Sequence, residues 1–104
     1  MAKRGVDSDS EVATENVIRV REPKSFQVIL LNDNFTTMDF VVLVLESIFN
    51  KTPAEAVQVM MRVHKQGRGL AGVYSRQIAE AKAALVHDRA TEAGYPLRCI
   101  MEEI

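Results

Sequence analysis

From Ser25 the chain reads SFQVILL, aromatic and β-branched residues that alternate with polar ones and then run solidly apolar. That pattern predicts a strand buried on at least one face. Asn32, Asp33 and Asn34 stop the run. Their short polar side chains bond to nearby backbone and favour turns. Immediately beyond, TTMDFVVLVLESIFN takes up a helical period. Thr36 and Asp39 have the spacing of a capping box, with Asp in place of Glu or Gln. Phe40, Leu43, Val44 and Ser47 fall on one helix face, and Val41, Leu45 and Ile48 lie beside it. So wide an apolar surface predicts a largely buried helix. Its valines lower helix propensity, and tertiary packing must compensate.

The next segment, NKTPAEAVQVMMRVHKQGRG, carries clear punctuation. Thr52 at the N-cap, Pro53 in the first helical position and Glu55 two residues later form a strong start signal. Ala56, Val57, Met60, Met61 and His64 recur at three- and four-residue spacing, and Gly67 is a natural left-handed stop. GLAGVYS reads as a short strand. Ser75 then caps a long alanine-rich helix, RQIAEAKAALVHDRATEA, which ends at Gly94; Ile78, Ala81, Leu85 and Val86 are expected to face inward. Pro96 breaks the chain, and LRCIMEE is a final strand. The order β-α-α-β-α-β predicts a small α/β (α+β) sandwich: a three-stranded antiparallel sheet packed on one face against three helices. Residues 1–22 mix charge and small polar residues without a period and are expected to form a flexible N-terminal arm. Residues 23–104 are the expected core domain.

Composition bears on function more than on fold. A chain of 104 residues suffices for one domain with a modest core. A net charge of -1 gives no global attraction to nucleic acid or to an anionic membrane. Cys99 is the one cysteine, so there is no internal disulfide and no cysteine-based zinc site. No apolar run approaches the ~20 residues of a membrane-spanning helix. The basic residues near the start have no apolar segment behind them, and Asp7, Asp9, Glu11 and Glu15 argue against a transit peptide. A cytoplasmic protein is expected, with the plastid stroma as the alternative.

Candidate chemistry is sparse. There is no phosphate-binding glycine loop with a lysine and no GxGxxG after a strand. Asp33, His64 and Thr36 can be drawn as a triad, but such trios arise by chance in almost any domain. His64 and His87 lie on different helices without a carboxylate at ligand spacing, so no metal or cofactor is expected. Taken singly, His64 reads as a core-edge histidine, Met60 and Met61 as core, and Asn32-Asp33-Asn34 as a strand-ending turn. Together they offer acceptors, amides, an imidazole and thioethers: a small apolar pocket with a polar rim, if the fold joins them.

In this order VILLNDNFTTMDFVVLVL, AVQVMMRVHKQG, GVYS, AEAKAAL and PLRCIMEE closely resemble the ClpS family, from about residue 24 to the end. ClpS proteins are non-enzymatic adaptors that carry N-degron substrates to Clp ATP-dependent proteases. The resemblance implies a deep apolar pocket for a substrate's first residue, with Leu, Phe, Tyr and Trp as the usual ligands. By position, Asn32 and His64 would bond the free α-amino group, with Asp33 and Asn34 beside it. Thr36, Met38, Val41, Met60, Val63 and Leu97 would line the side-chain pocket, with Met38 as a gate against β-branched residues. Gln77, Glu80 and Lys82 match positions that dock the N-terminal domain of a Clp AAA+ unfoldase, of ClpA or ClpC type. Without the resemblance those three read as a solvated helix face. The arm would help to hand over substrate, and a monomer is expected.

The chain departs from the family pattern at several places. Asn34 stands where many bacterial members have Asp, and keeps a carbonyl acceptor while losing the charge. Thr37 replaces a common Pro, Phe35 a frequent Tyr, Leu43 a frequent Asp and Gln77 a frequent Glu. Phe35 is expected to pack the turn, and Met38 to look across the pocket. The competing reading is an interaction scaffold like the C-terminal domain of a ribosomal stalk protein, which would recruit factors without recognising an amine. A small hydrolase is the third.

Overall fold

The computed structural model describes residues 24–104. The expected arm over residues 1–22 lies outside them. Strand β1 (Ser25–Leu31) is central in a three-stranded sheet, antiparallel to β2 (Arg68–Ser75) on one side and to β3 (Arg98–Glu103) on the other. Between the strands come helices α1 (Met38–Ser47), α2 (Pro53–Gln66) and α3 (Arg76–Ala93), in the expected β-α-α-β-α-β order. The central place of β1 explains its apolar run. With both edges hydrogen-bonded its backbone can be buried without loss. Val28 and Leu30 are fully covered and share one core with Val44, Leu45, Val59 and Val86.

Register decides what meets at each end of the sheet. Ser25 faces Ser75, whereas Leu31 faces Arg68 on one side and Arg98 on the other. The ladder slips between Val28 and Ile29 at a bulge in the β2 pairing. The turn after Leu31 and the start of α3 therefore lie at opposite ends of β1, roughly 20 Å apart at the usual strand rise.

Three expectations about faces and caps are corrected. α1 is capped by Thr37, not by a Thr36–Asp39 box: Thr37 is extended and its Oγ1 accepts from the Phe40 N–H at 3.1 Å. Thr36 is occupied elsewhere, as its hydroxyl donates to Asp33. The buried face of α1 is centred on Val41, Val44 and Leu45, while Leu43 is 55% exposed and Ser47 faces solvent. In α3 the inward residues are Ala79, Val86 and Ala90; Ile78, Ala81 and Leu85 are exposed. Alanines at the contact let the helix approach the sheet closely, which leaves the bulkier residues outside. α2 keeps its full capping box between Thr52 and Glu55, and ends at Gly67 with φ 90°. Its buried residues are Ala56, Val59, Met60 and Val63, and Val57 is exposed.

Cys99 is buried on β3, its N–H donating to His87 Nε2 at 3.3 Å and its thiol lying 3.9 Å from the same nitrogen. Burial pushes the thiol pKa up to about 11. The thiolate is the reactive form, so a disulfide reagent at pH 8 should label the native protein about 100-fold more slowly than the denatured chain. Rapid labelling of the native protein would contradict this burial.

Candidate functional site

The Asn32-Asp33-Asn34 turn is built by Asp33. Its Oδ1 accepts from the N–H groups of Phe35 at 2.8 Å and Thr36 at 2.7 Å, and its Oδ2 accepts from the Thr36 hydroxyl at 2.7 Å. Burial raises the pKa of this carboxyl, but the bonds from Thr36 and Phe35 outweigh it and hold the group below its ordinary value. Stabilisation from Asp33 is thus complete above the ordinary aspartate range and is lost as pH falls through the lowered folded value. Asp33→Asn should remove that part of the acid sensitivity, seen as a flatter dependence of melting temperature on pH below about 4. An unchanged acid limb would contradict it.

A second contact aims the turn. The Asn32 N–H donates to the Gly67 carbonyl at 2.9 Å, and the Gly67 N–H donates to the Val63 carbonyl at 3.0 Å. The end of β1 is thereby tied to the end of α2, whose last turn carries His64. Gly69 tightens the same corner. A Cβ there would meet Val63 Cγ2 at 2.7 Å and the Val59 carbonyl oxygen at 3.1 Å, so only glycine lets β2 lie this close to α2.

Between these pieces lies a cavity of about 240 Å³ lined by Asn32, Asp33, Asn34, Thr36, Met38, Val41, Met60, Val63 and His64. Val41, Met60 and Val63 are buried and form its apolar part; Met38, at the start of α1, is 42% exposed. Asn32, Asn34 and His64 are exposed and supply a polar part. A cavity of roughly 150 Å³ accommodates a benzene ring, so this one has room for a phenyl-sized side chain. An amide oxygen and an unprotonated imidazole nitrogen can accept from an ammonium, and the Asp33 carboxylate adds charge nearby. The geometry does not assemble a nucleophile and base: the Thr36 hydroxyl donates to Asp33 and not to His64. Among the described residues no cluster of three or more His, Cys, Asp or Glu could hold a metal ion.

The family model described as ATP-dependent Clp protease adaptor protein ClpS matches residues 21–100. The chain belongs to the ClpS family. It is 51% identical over 96 residues to the ATP-dependent Clp protease adapter protein ClpS of Nitratidesulfovibrio vulgaris, covering 92% of this chain and 94% of that protein. It is 50% identical over 103 residues to the ClpS of Wolinella succinogenes, covering 99% of both. The structure of Agrobacterium tumefaciens ClpS2 bound to L-phenylalaninamide superposes with a TM-score of 0.77 at 38% identity, covering 80% of this chain and all of that one. The chain is thus a non-catalytic adaptor of a Clp protease, not an enzyme. Among the described residues no helix is long and apolar enough to cross a membrane.

Not every residue expected at the ClpS pocket lines this cavity. Leu97 is 2% exposed within the core, just before β3 begins, and lies outside the lining. Phe35 does not pack the turn but stands 76% exposed. Gln77, Glu80 and Lys82 are on α3, away from the cavity. Gln77 and Glu80 are exposed, and Glu80 pairs with Arg76 at 3.4 Å. Lys82 is half-buried: its ammonium donates to the Ile48 carbonyl at 2.7 Å beyond the end of α1 and lies 5.2 Å from the Tyr74 ring centroid. Sequence reading missed this capping role of Lys82, and also the close approach at Gly69. A glycine inside a strand was the available sign of the latter.

Proposed function

We propose that the cavity binds the first residue of N-degron substrates and that the chain delivers those substrates to a Clp AAA+ unfoldase. The observation that carries the reading is the Asn32–Gly67 backbone bond, which sets the Asn32 and His64 ends beside an apolar hollow of side-chain size. Asn32 and His64 accept bonds from the free α-amino group, Asp33 orders the turn, and Asn34 contributes a neutral acceptor. Val41, Met60 and Val63 receive the side chain. Fully burying a Leu or Phe side chain contributes roughly 1.5–3 kcal/mol. The ligand of the Agrobacterium structure, a phenylalanine with a free amine and an amide in place of its carboxylate, supports the same chemistry here. Leu, Phe, Tyr and Trp are therefore the first residues proposed.

Met38 stands at the cavity edge and gates it against branching at Cβ. Met38→Ala should raise the affinity of Ile- and Val-first peptides relative to Leu by roughly tenfold, the scale of one or two methylenes of fit. A ratio unchanged in anisotropy titrations would remove the gate. Gln77, Glu80 and Lys82 are proposed to meet the N-terminal domain of the unfoldase, in the bacterial cytoplasm. Lys82 would do so from a position already fixed by Ile48.

The reading is tested with a fluorescent Phe-first peptide, free or acetylated at its amine. Binding of the free peptide that is lost on acetylation supports it. Equal binding of both forms would instead favour a scaffold that recruits partners without reading an amine.

A further inference from the structure

The sheet has an open face. Along β1, Phe26, Val28 and Leu30 join the core with residues of all three helices, so Gln27, Ile29 and Leu31 point the other way. Register sets Leu70 and Ile100 on either side of Ile29, and Val73 and Glu102 on either side of Gln27. The bulge inserts Ala71, which is buried in the core, so Leu70 and Val73 both face outward. A sheet face open to water ordinarily carries polar residues. This one carries Ile29, Leu31, Leu70, Val73 and Ile100. Arg68 donates to both carboxylate oxygens of Glu102 at 3.1 Å across β1, and Gln27 donates to the same carboxylate at 3.4 Å. That strap roofs Ile29, which is 4% exposed. Leu70 and Val73 lie beside it on β2 and stay 41% and 46% exposed.

The sequence just before β1 matches that strip. Residues 17–22 read VIRVRE, which in an extended chain sets Ile18 and Val20 on one side and Arg19 and Arg21 on the other. The chain enters β1 at Ser25, where both neighbouring places are taken. Ser25 faces Ser75, and its carbonyl accepts from the Ile104 N–H at 2.9 Å. On the helix side, the Arg76 guanidinium lies 5.7 Å from the Phe26 ring centroid. The open face is the surface left to a chain that turns back there. Glu22-Pro23-Lys24-Ser25 has proline in the second position, where β-turns favour it. A reversal centred on Pro23 and Lys24 brings Val20 level with Gln27 and Val73, and Ile18 level with Ile29 and Leu70. We infer that residues 17–22 dock along the open sheet face, with Ile18 against Leu70 and Val20 against Val73. Arg19 and Arg21 stay in water. Covalent attachment makes the contact intramolecular, so a small apolar area suffices. The inference is independent of the amine-binding reading.

The test uses the full, isotopically labelled chain with Asn16→Cys carrying a nitroxide; the native Cys99 is buried, with its thiol pKa pushed up to about 11, and resists the label. Amide broadening by the nitroxide should be strongest at Leu31, Leu70 and Ile100 and weakest at Leu43 and Glu92 on the helical side. An Ile18→Asp, Val20→Asp double variant should lose that contrast. Leu70→Asp should lose it too, and because the site is exposed the melting temperature should hold. Even broadening over the whole surface, or a contrast that survives the double variant, would overturn the docking. Mixing nitroxide-bearing unlabelled chain with labelled chain that lacks the nitroxide separates one molecule from two. Contrast absent from the mixture supports docking within the chain. The same contrast between molecules would overturn it and give the face to a second copy.

Discussion

Asn32→Ala and His64→Ala are each expected to weaken binding of a free-amine Phe or Leu peptide by roughly 10- to 150-fold. The range follows from the cost of losing one hydrogen bond to a charged group. Both side chains are exposed, and neither makes a hydrogen bond within the described residues, so little else depends on them. The bond that ties the turn to α2 comes from the Asn32 main chain and survives truncation of its side chain. Thermal stability should therefore stay within about 0.5 kcal/mol of the parent, as for surface substitutions generally. Loss of binding with an intact melt separates recognition from folding. Full binding retained by both variants would move the amine site elsewhere.

Gly69→Ala is expected to act on fold and site together. The added Cβ would press on Val63 Cγ2 at 2.7 Å and on the Val59 carbonyl oxygen at 3.1 Å. The second contact is backbone and cannot turn aside, so α2 must move away from β2. Overpacking of this kind costs about 1–3 kcal/mol. Val63 lines the cavity and His64 follows it, so the displacement should also reduce peptide affinity. Shortening the clashing side chain in a Gly69→Ala, Val63→Ala double variant should cost less than the sum of the single changes, because the two sites touch. Simple additivity would mean that α2 and β2 are not in the close contact described.

The element order was legible because the hydrophobic period switches sharply at Asn32, Thr52, Gly67 and Gly94, each a residue with its own turn or cap chemistry. The strand made of Ser25–Leu31 could also be recognised as buried from its unbroken apolar half. The inward face of α3 was not legible. Alanines fall all round that helix, so Ile78 and Leu85 looked like anchors when the sheet needed small residues at Ala79 and Ala90. Thr36 and Thr37 are chemically alike, and the identity of the cap turned on Asp33 claiming the first of them. Asn32–Asn34, Met60 and His64 were singled out as a possible pocket from residue type and spacing, while Thr36, Met38, Val41, Val63 and Leu97 were named through the ClpS resemblance; the structure brings all of them except Leu97 to the lining. What periodicity could not supply is the reason they converge. The Asn32–Gly67 bond is between main-chain atoms of residues far apart in sequence and leaves no mark on residue type.

A single titration tests the amine-binding site most directly: amide chemical shifts of the isotopically labelled chain as a Phe-first peptide with a free amine is added. Shifts concentrated in residues 32–41 and 60–67, and absent with the acetylated peptide, are the expected result. Shifts confined to the α3 surface around Gln77 and Glu80, or the same shifts with either peptide, would contradict it.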